Sequence, residues 1–227
     1  MSRLSDTWVV MPVYNEAAVV ARVVEDTRRT FPNIVCVDDG SSDGSAAQIT
    51  TTGAHLVRHS VNLGQGAALQ TGIAYALSQP GIRFVVTMDS DGQHRPEDAA
   101  AMVATARSGA ADVVLGSRFL NGGVGVPVAK RAVLRTIAAI SPTSRKMRLT
   151  DAHNGLRVFT AEAARQLRIK TSGMEHASEI VALLAASELR VVEAPVTILY
   201  TDYAKSKGQS LVNGINIMFD LSIRQRS

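Results

Sequence analysis

An α/β fold built on a mostly parallel sheet flanked by helices is the architecture this sequence predicts, and three observations carry that prediction. Short β-rich runs alternate with helical patterns, the runs are continuously apolar as in strands covered on both faces, and acid-bearing residues cluster just after the runs. In such sheets ligands sit beyond the carboxyl ends of the strands, so the residues that follow each strand are the candidates for function.

In chain order, TWVVM reads as the first strand, and Asn15 with Glu16 marks the start of a helix over 17–30. NIVCV is the second strand and ends in a turn of Gly40, Ser41 and Ser42; HLVRH is the third and leads to a helix over 66–77. RFVVTM is the fourth, after which Pro96, Glu97 and Asp98 open a helix to Arg107, matching first-turn proline and acid preferences. DVVLG is the fifth. Beyond Gly116, NGGVGVP reads as a loop. A basic helical stretch follows, then a strand-like LRVF, helices from Ala161 and Met174, and the strand-like pair LRVVEA and VTILY. Residues 208–227 place Leu211, Ile215, Met218, Phe219 and Ile223 at helical spacing.

A length of 227 residues suits one domain, with a first half over 1–118 and a second over 119–227. Apolar residues at 46% and charged residues at 19% describe a globular chain, and aromatics at 4% speak against a nucleic-acid binder, which interleaves aromatic with basic side chains. The single cysteine, Cys36, has no internal disulfide partner, which fits a reducing compartment. The amino terminus offers no signal-peptide run and no apolar stretch reaches bilayer length, so the expected location is cytoplasmic, peripheral at the inner face of the cell membrane. The net charge of +4 is unevenly spread: Lys130, Arg131, Arg135, Arg145, Lys146 and Arg148, joined by Arg157 if the stretch is extended, meet no acid until Asp151. Interleaved with Val133, Leu134, Ile137 and Ile140, this segment is expected on an anionic membrane surface or packed against the core.

The strongest local signal is MDSDGQH, where Asp89 and Asp91 flank Ser90 at a strand end. Like charges at that spacing repel, and a hard divalent cation, Mg2+ or Mn2+, held between them and a diphosphate removes the conflict; Gln93 adds an amide oxygen. The same residues also make an ordinary Asp-Gly turn. In VDDGSSDG, Asp38 and Asp39 suit hydrogen bonds from a base or ribose, or an Asx turn with a helix cap. In MPVYNE, Tyr14 and Glu16 suit a nucleoside, with Pro12 stiffening the turn. No GxGxxG follows the first strand, which excludes the usual dinucleotide oxidoreductase, and a nucleotidyltransferase wants a basic glycine loop where PVYNE stands.

Taken in order, PVYNE at Pro12 to Glu16, VDDGSSDG at Val37 to Gly44, NLGQGAAL at Asn62 to Leu69, DSDGQH at Asp89 to His94, GSR at Gly116 to Arg118, DAHNGLRVF at Asp151 to Phe159 and KSKG at Lys205 to Gly208 resemble the GT-A fold of family 2 glycosyltransferases, and within it the polyprenol-phosphate sugar transferases. The resemblance implies an inverting, metal-dependent transfer from a nucleotide diphosphate sugar to a polyprenyl phosphate. It implies Pro12, Tyr14, Glu16, Val37 and Asp39 around the nucleoside; Asp89, Ser90 and Asp91 at the donor phosphates and sugar; and Asp89, Asp91 and Gln93 at the metal. Arg118 and Lys207 would face the diphosphate, where charge grows as the nucleotide leaves. Asp151 matches the presumed base; an anionic phosphate needs little deprotonation, so it orients the acceptor or caps the turn before LRVF. Glu175 and Glu179 are rival acids, and His94, His153 and His176 are supporting residues. The chain departs from the pattern at Thr201, where an arginine is familiar, and at Gln65, where relatives carry a basic residue. The same fold with a soluble, glycan or protein acceptor, and a silent nucleotide-binding module, are the alternatives; the retained Asp89 and Asp91 speak against the latter.

Overall fold

The computed structural model describes residues 4–120, 147, 149–173 and 175–199. Seven strands form one sheet: β1 (Thr7–Val13), β2 (Asn33–Asp38), β3 (His55–Arg58), β4 (Phe84–Thr87), β5 (Val113–Ser117), β6 (Arg157–Thr160) and β7 (Val191–Pro195), in the spatial order β3-β2-β1-β4-β6-β5-β7. Every pairing is parallel except those of β6, which runs antiparallel to both β4 and β5. The mostly parallel sheet expected from the apolar runs is therefore present, with one reversed strand inserted. That reversal brings the start of β6 to the same edge as the ends of β1, β2, β4 and β5.

Helices α1 (Val20–Arg28), α2 (Ser45–Thr50), α3 (Gln65–Leu77), α4 (Pro96–Arg107), α5 (Ala161–Gln166) and α6 (His176–Ala186) cover the two faces. The first face packs Val20, Val23 and Val24 of α1 and Ala99, Met102 and Val103 of α4 on Val9, Met11, Val86 and Val158. The second packs Ala68, Leu69 and Ile73 of α3 and Ile180 and Leu184 of α6 on Val10, Val35, Val37, Val85 and Phe159. Alternate residues of one strand thus enter different layers, so the strands read as unbroken apolar runs. Cys36 is wholly buried in the first layer, where burial pushes its thiol up to about 12 and leaves it inert.

Three sequence expectations are corrected. The turn after β2 contains α2, whose six residues are too few for periodicity to reveal. VTILY is not a strand over its described part: 196–199 is irregular, held by the Val196 N–H on the Ser117 carbonyl (3.0 Å) and the Leu199 N–H on the Gln93 carbonyl (2.9 Å). The first helix also starts later than expected, at Val20. The 208–227 pattern and most of the basic 130–148 segment lie outside the described residues.

Gly72 sets the approach of α3 to the sheet, since a Cβ there would stand 2.3 Å from Val10 Cγ1 and 3.1 Å from Val37 Cγ2. Gly72→Ala is therefore expected to overpack this layer and lower stability by about 1–3 kcal/mol, measured as a reduced denaturation midpoint with unchanged slope.

Candidate functional site

The strand order lines up the motif loops along one edge: β2, then β1, β4, β6 and β5. The loops after β1 and β2 are bonded to each other. Asn15 donates its N–H to Ser41 Oγ (2.9 Å), and its Oδ1 accepts from the Ser42 N–H (3.0 Å). The Glu16 N–H bonds Ser45 Oγ (2.8 Å), and the Ala17 N–H bonds Asp43 Oδ2 (2.9 Å). Asn15 takes a left-handed φ of 55°, a conformation that Asn tolerates better than most residues. Tyr14 beside it is exposed.

Asp38 is buried, with Oδ1 accepting from the Ser41 N–H (3.1 Å) and Arg58 Nε 3.0 Å from Oδ2. Asp39 is buried too, and its carboxylate anchors the loop before α3. It accepts from the Leu63 N–H (2.9 Å), the Gly64 N–H (2.7 Å) and His59 Nδ1 (2.7 Å), while His59 Nε2 reaches Thr71 Oγ1 (3.0 Å). Asp39 thereby fixes the loop that leads into α3. Val37 is a correction to the sequence reading, because its side chain is wholly buried in the core and presents no surface to a ligand. Pro12 is also buried in β1, and its carbonyl accepts from Ser90 Oγ (2.9 Å), which ties the acid motif to the first strand.

At the end of β4 the two acids differ. Asp89 is bonded on both oxygens, by Gln65 Nε2 (3.1 Å) and His94 Nε2 (3.2 Å). Burial opposes its ionisation, but the His94 bond and the electrostatic influence of His94, Arg157 and His176 hold its carboxyl below the usual range. Asp91 accepts from the Gln93 N–H (3.0 Å) and from Gln93 Nε2. Burial and then the neighbouring Asp89 charge push its carboxyl up. Gln93 is brought to Asp91 with its amide nitrogen, not the oxygen expected at a metal, turned toward the carboxylate. Hard oxygen donors, with the Asp91 carboxyl resisting ionisation because of burial and then of Asp89, fit a divalent cation that supplies the missing positive charge. No cluster of three or more His, Cys, Asp or Glu suited to a metal occurs among the described residues.

Past β5, Arg118 does not stand apart facing a ligand. It grips Asp151 through Nε (2.6 Å), Nη2 (2.7 Å) and its backbone N–H (3.1 Å). Burial pushes the Asp151 carboxyl up, and the Arg118 hydrogen bonds and charge outweigh it to hold the carboxyl below its ordinary value. The Asp151 loop is fastened by Glu193 of β7, which accepts from the Thr150 N–H (2.9 Å), Thr150 Oγ1 (2.9 Å) and the Asp151 N–H (2.9 Å). A depressed carboxyl contributes stability above its unfolded value, near 4, that is lost as pH falls through the folded value. Asp151→Asn is expected to flatten the pH dependence of the urea midpoint below about pH 4, and a wild-type slope there would contradict the pairing.

Glu179 is a structural acid: it accepts from the Lys170 N–H (2.9 Å), the Thr171 N–H (2.9 Å) and Thr171 Oγ1 (2.5 Å). His153 Nε2 meets Ser178 Oγ (3.3 Å), and His176 Nδ1 meets the Gly173 carbonyl (2.9 Å). Burial, chiefly, depresses the basicity of both. Lys205 and Lys207 lie outside the described residues. Three participants were not singled out from the sequence. Glu193 has no motif around it; Gln65 appeared only within NLGQGAAL and as a departure, although its place at a helix start one glycine after a loop is a usable signal; and Arg157, at the start of β6, appeared only within DAHNGLRVF and in a charge count.

The model of glycosyl transferase family 2 matches residues 8–168. The UDP-N-acetylglucosamine–dolichyl-phosphate N-acetylglucosaminyltransferase of Methanococcus voltae is 27% identical over 238 residues, covering 94% of this chain and 94% of that protein. The undecaprenyl-phosphate mannosyltransferase of Micrococcus luteus is 27% identical, covering 90% of each. Among solved structures, glucosyl-3-phosphoglycerate synthase from Mycobacterium tuberculosis in complex with Mn2+ and UDP-glucose superposes with a TM-score of 0.65 at 20% identity, covering 86% of this chain and 71% of that one.

Proposed function

Because the chain belongs to glycosyl transferase family 2 and its sheet has the GT-A architecture, we propose that it transfers a sugar from a nucleotide diphosphate sugar to a polyprenyl phosphate, with Mg2+ or Mn2+ at Asp91 and Asp89. The observation that carries this reading is the position of the unequal acid pair on the sheet edge. Asp89 and Asp91 stand between the interlocked loops of β1 and β2 on one side and the Arg118–Asp151 pair on the other. The acceptor is inferred from the two relatives whose names specify dolichyl and undecaprenyl phosphate. Their sugars differ, so the transferred sugar is left to experiment.

Tyr14, Glu16 and Asp39 border the nucleoside side. When bound, the cation supplies charge against the leaving diphosphate. Gln65 and His94 fix the orientation of Asp89, and Ser90 fixes the motif to β1, so the carboxylates need no rearrangement during transfer. Arg118, with its guanidinium oriented by Asp151, stands at the edge where the acceptor phosphate meets the sugar. Lys207, the first half over 1–118 as donor side and the second half over 119–227 as acceptor side belong to the same proposal.

A panel of nucleotide sugars incubated with Mg2+ or Mn2+ and a short polyprenyl phosphate tests it. Lipid-dependent nucleotide release is expected for one donor, and release that a polyprenyl phosphate never stimulates would overturn the acceptor. No described helix is long and apolar enough to cross a membrane. Contact with the lipid is proposed through the basic 130–148 segment, so co-sedimentation with anionic vesicles at low salt and release at high salt are expected.

A further inference from the structure

The Asp39 carboxylate is held from two directions. Its Oδ1 accepts from the Leu63 N–H (2.9 Å) and its Oδ2 from the Gly64 N–H (2.7 Å), so the two residues just ahead of α3 hang on it. From the other side His59 Nδ1 stands 2.7 Å from Oδ1, and His59 Nε2 stands 3.0 Å from Oγ1 of Thr71, in the second turn of α3. A carboxylate only accepts, so Nδ1 carries a proton and Nε2 is left to pair with the Thr71 hydroxyl. The His59 side chain is 10% exposed and that of Asp39 4%, so water competes little for these bonds.

α3 is thereby fixed to the end of β2 at two points, by its leading end through Asp39 and by its flank through His59. The backbone leaves no slack at either point. A Cβ on Gly40, the residue after Asp39, would stand 2.6 Å from the Val61 carbonyl carbon, and Gly72, the residue after Thr71, lies against Val10 and Val37. The Gly66 N–H bonds the Ser172 carbonyl (2.9 Å) and holds the helix start from a third side. What that start carries to the acids is Gln65, the first residue of α3, whose Nε2 donates to Asp89 Oδ1 (3.1 Å). Both ring nitrogens of His59 are taken up by Asp39 and Thr71, so its influence reaches Asp89 only along this line of contacts.

We propose that His59 is a positioning residue for the cation and the donor diphosphate: by locking Asp39 to Thr71 it sets where α3 begins, and so where Gln65 holds Asp89. This rests on the transferase reading above, which makes Asp89 a cation ligand, and adds a residue that touches neither acid. Groups at a reacting centre have to be held within about 0.5 Å, and that needs side chains whose own supports are locked.

The test is a double-mutant cycle of His59→Leu with Gln65→Met in the full-length chain. The quantity read is the factor by which Mn2+ tightens binding of a nucleoside diphosphate, measured by calorimetry with the tightest-binding member of a panel. Taking the ratio with and without Mn2+ divides out any change in affinity for the nucleoside itself. His59→Leu is expected to reduce the factor about tenfold on its own but less than about twofold in the Gln65→Met background. His59→Asn, close to Leu in shape but with a donor restored near the place of Nδ1, should keep the factor within about threefold of wild type. Thr71→Val removes the hydroxyl at nearly constant shape and should show the same dependence on Gln65 at smaller size, which carries the test if His59→Leu fails to fold. Equal losses in both Gln65 backgrounds, as a role in stability alone would give, overturn the inference; so does a factor that survives His59→Leu or Thr71→Val, or one that falls as far in His59→Asn as in His59→Leu. Wild type whose nucleoside diphosphate binding is not tightened by Mn2+ overturns the cation reading itself, and this inference with it.

Discussion

Asp91→Asn is expected to cut sugar transfer by about a thousandfold or more while leaving the fold intact. Asn is nearly isosteric with Asp, and its carbonyl oxygen still accepts the Gln93 N–H that holds the turn after β4. What disappears is the carboxylate whose ionisation is already opposed by burial and by Asp89. Relief of that repulsion should hold the thermal midpoint at or above the wild-type value, so low activity in a stable protein isolates the loss of charge. Calorimetry of nucleoside diphosphate binding should show the metal-dependent part gone and a weaker metal-independent part kept. Near wild-type nucleotide release would contradict the cation role.

Gly155→Ala is the second large effect expected. The Cβ would meet Asp89 Oδ2 at 2.2 Å and its Cγ at 2.7 Å, well inside contact distance, and neither side can retreat easily. The Gly155 carbonyl is held by Thr87, and Asp89 is held by Gln65 and His94. The carboxylate is the more movable group, so it should swing from its present direction, and displacement on the scale of an ångström at a reacting centre costs about a hundredfold in rate. Stability should fall as well, by roughly 1–3 kcal/mol of overpacking. The informative reading is the split: kcat falls far more than the denaturation midpoint accounts for. An unchanged kcat would show that the orientation of Asp89 is not critical.

The sheet and the acids at its strand ends were legible in the sequence for a physical reason: strands buried on both faces need long apolar runs, and the acids that end them have nowhere apolar to go. The start of α4 was legible from Pro96, Glu97 and Asp98. α2 was not, because its hold on the fold comes from Ser45 and Asp43 bonding across to Glu16 and Ala17, contacts that local pattern does not contain. VTILY misled because its apolar side chains bury without strand pairing: Val196 and Ile198 enter the interior while Leu199 stays exposed. Past β5, Arg118 and Asp151 were each named but not as partners, since 33 positions separate them and only the reversed β6 brings them together. Arg157 was hidden by its context, for a basic residue between Leu156 and Val158 gives no hint of whether it faces a core or an anion.

The crosswise bonds between the β1 and β2 loops bear on how a donor arrives. Asn15, Ser41, Ser42, Asp43 and Ser45 hold that rim in one shape without help from any guest. On the proposed reading, a nucleoside docking there would meet a mould already cast, so little chain ordering would be charged against its affinity, and discrimination among bases would follow from fit rather than from closure around them.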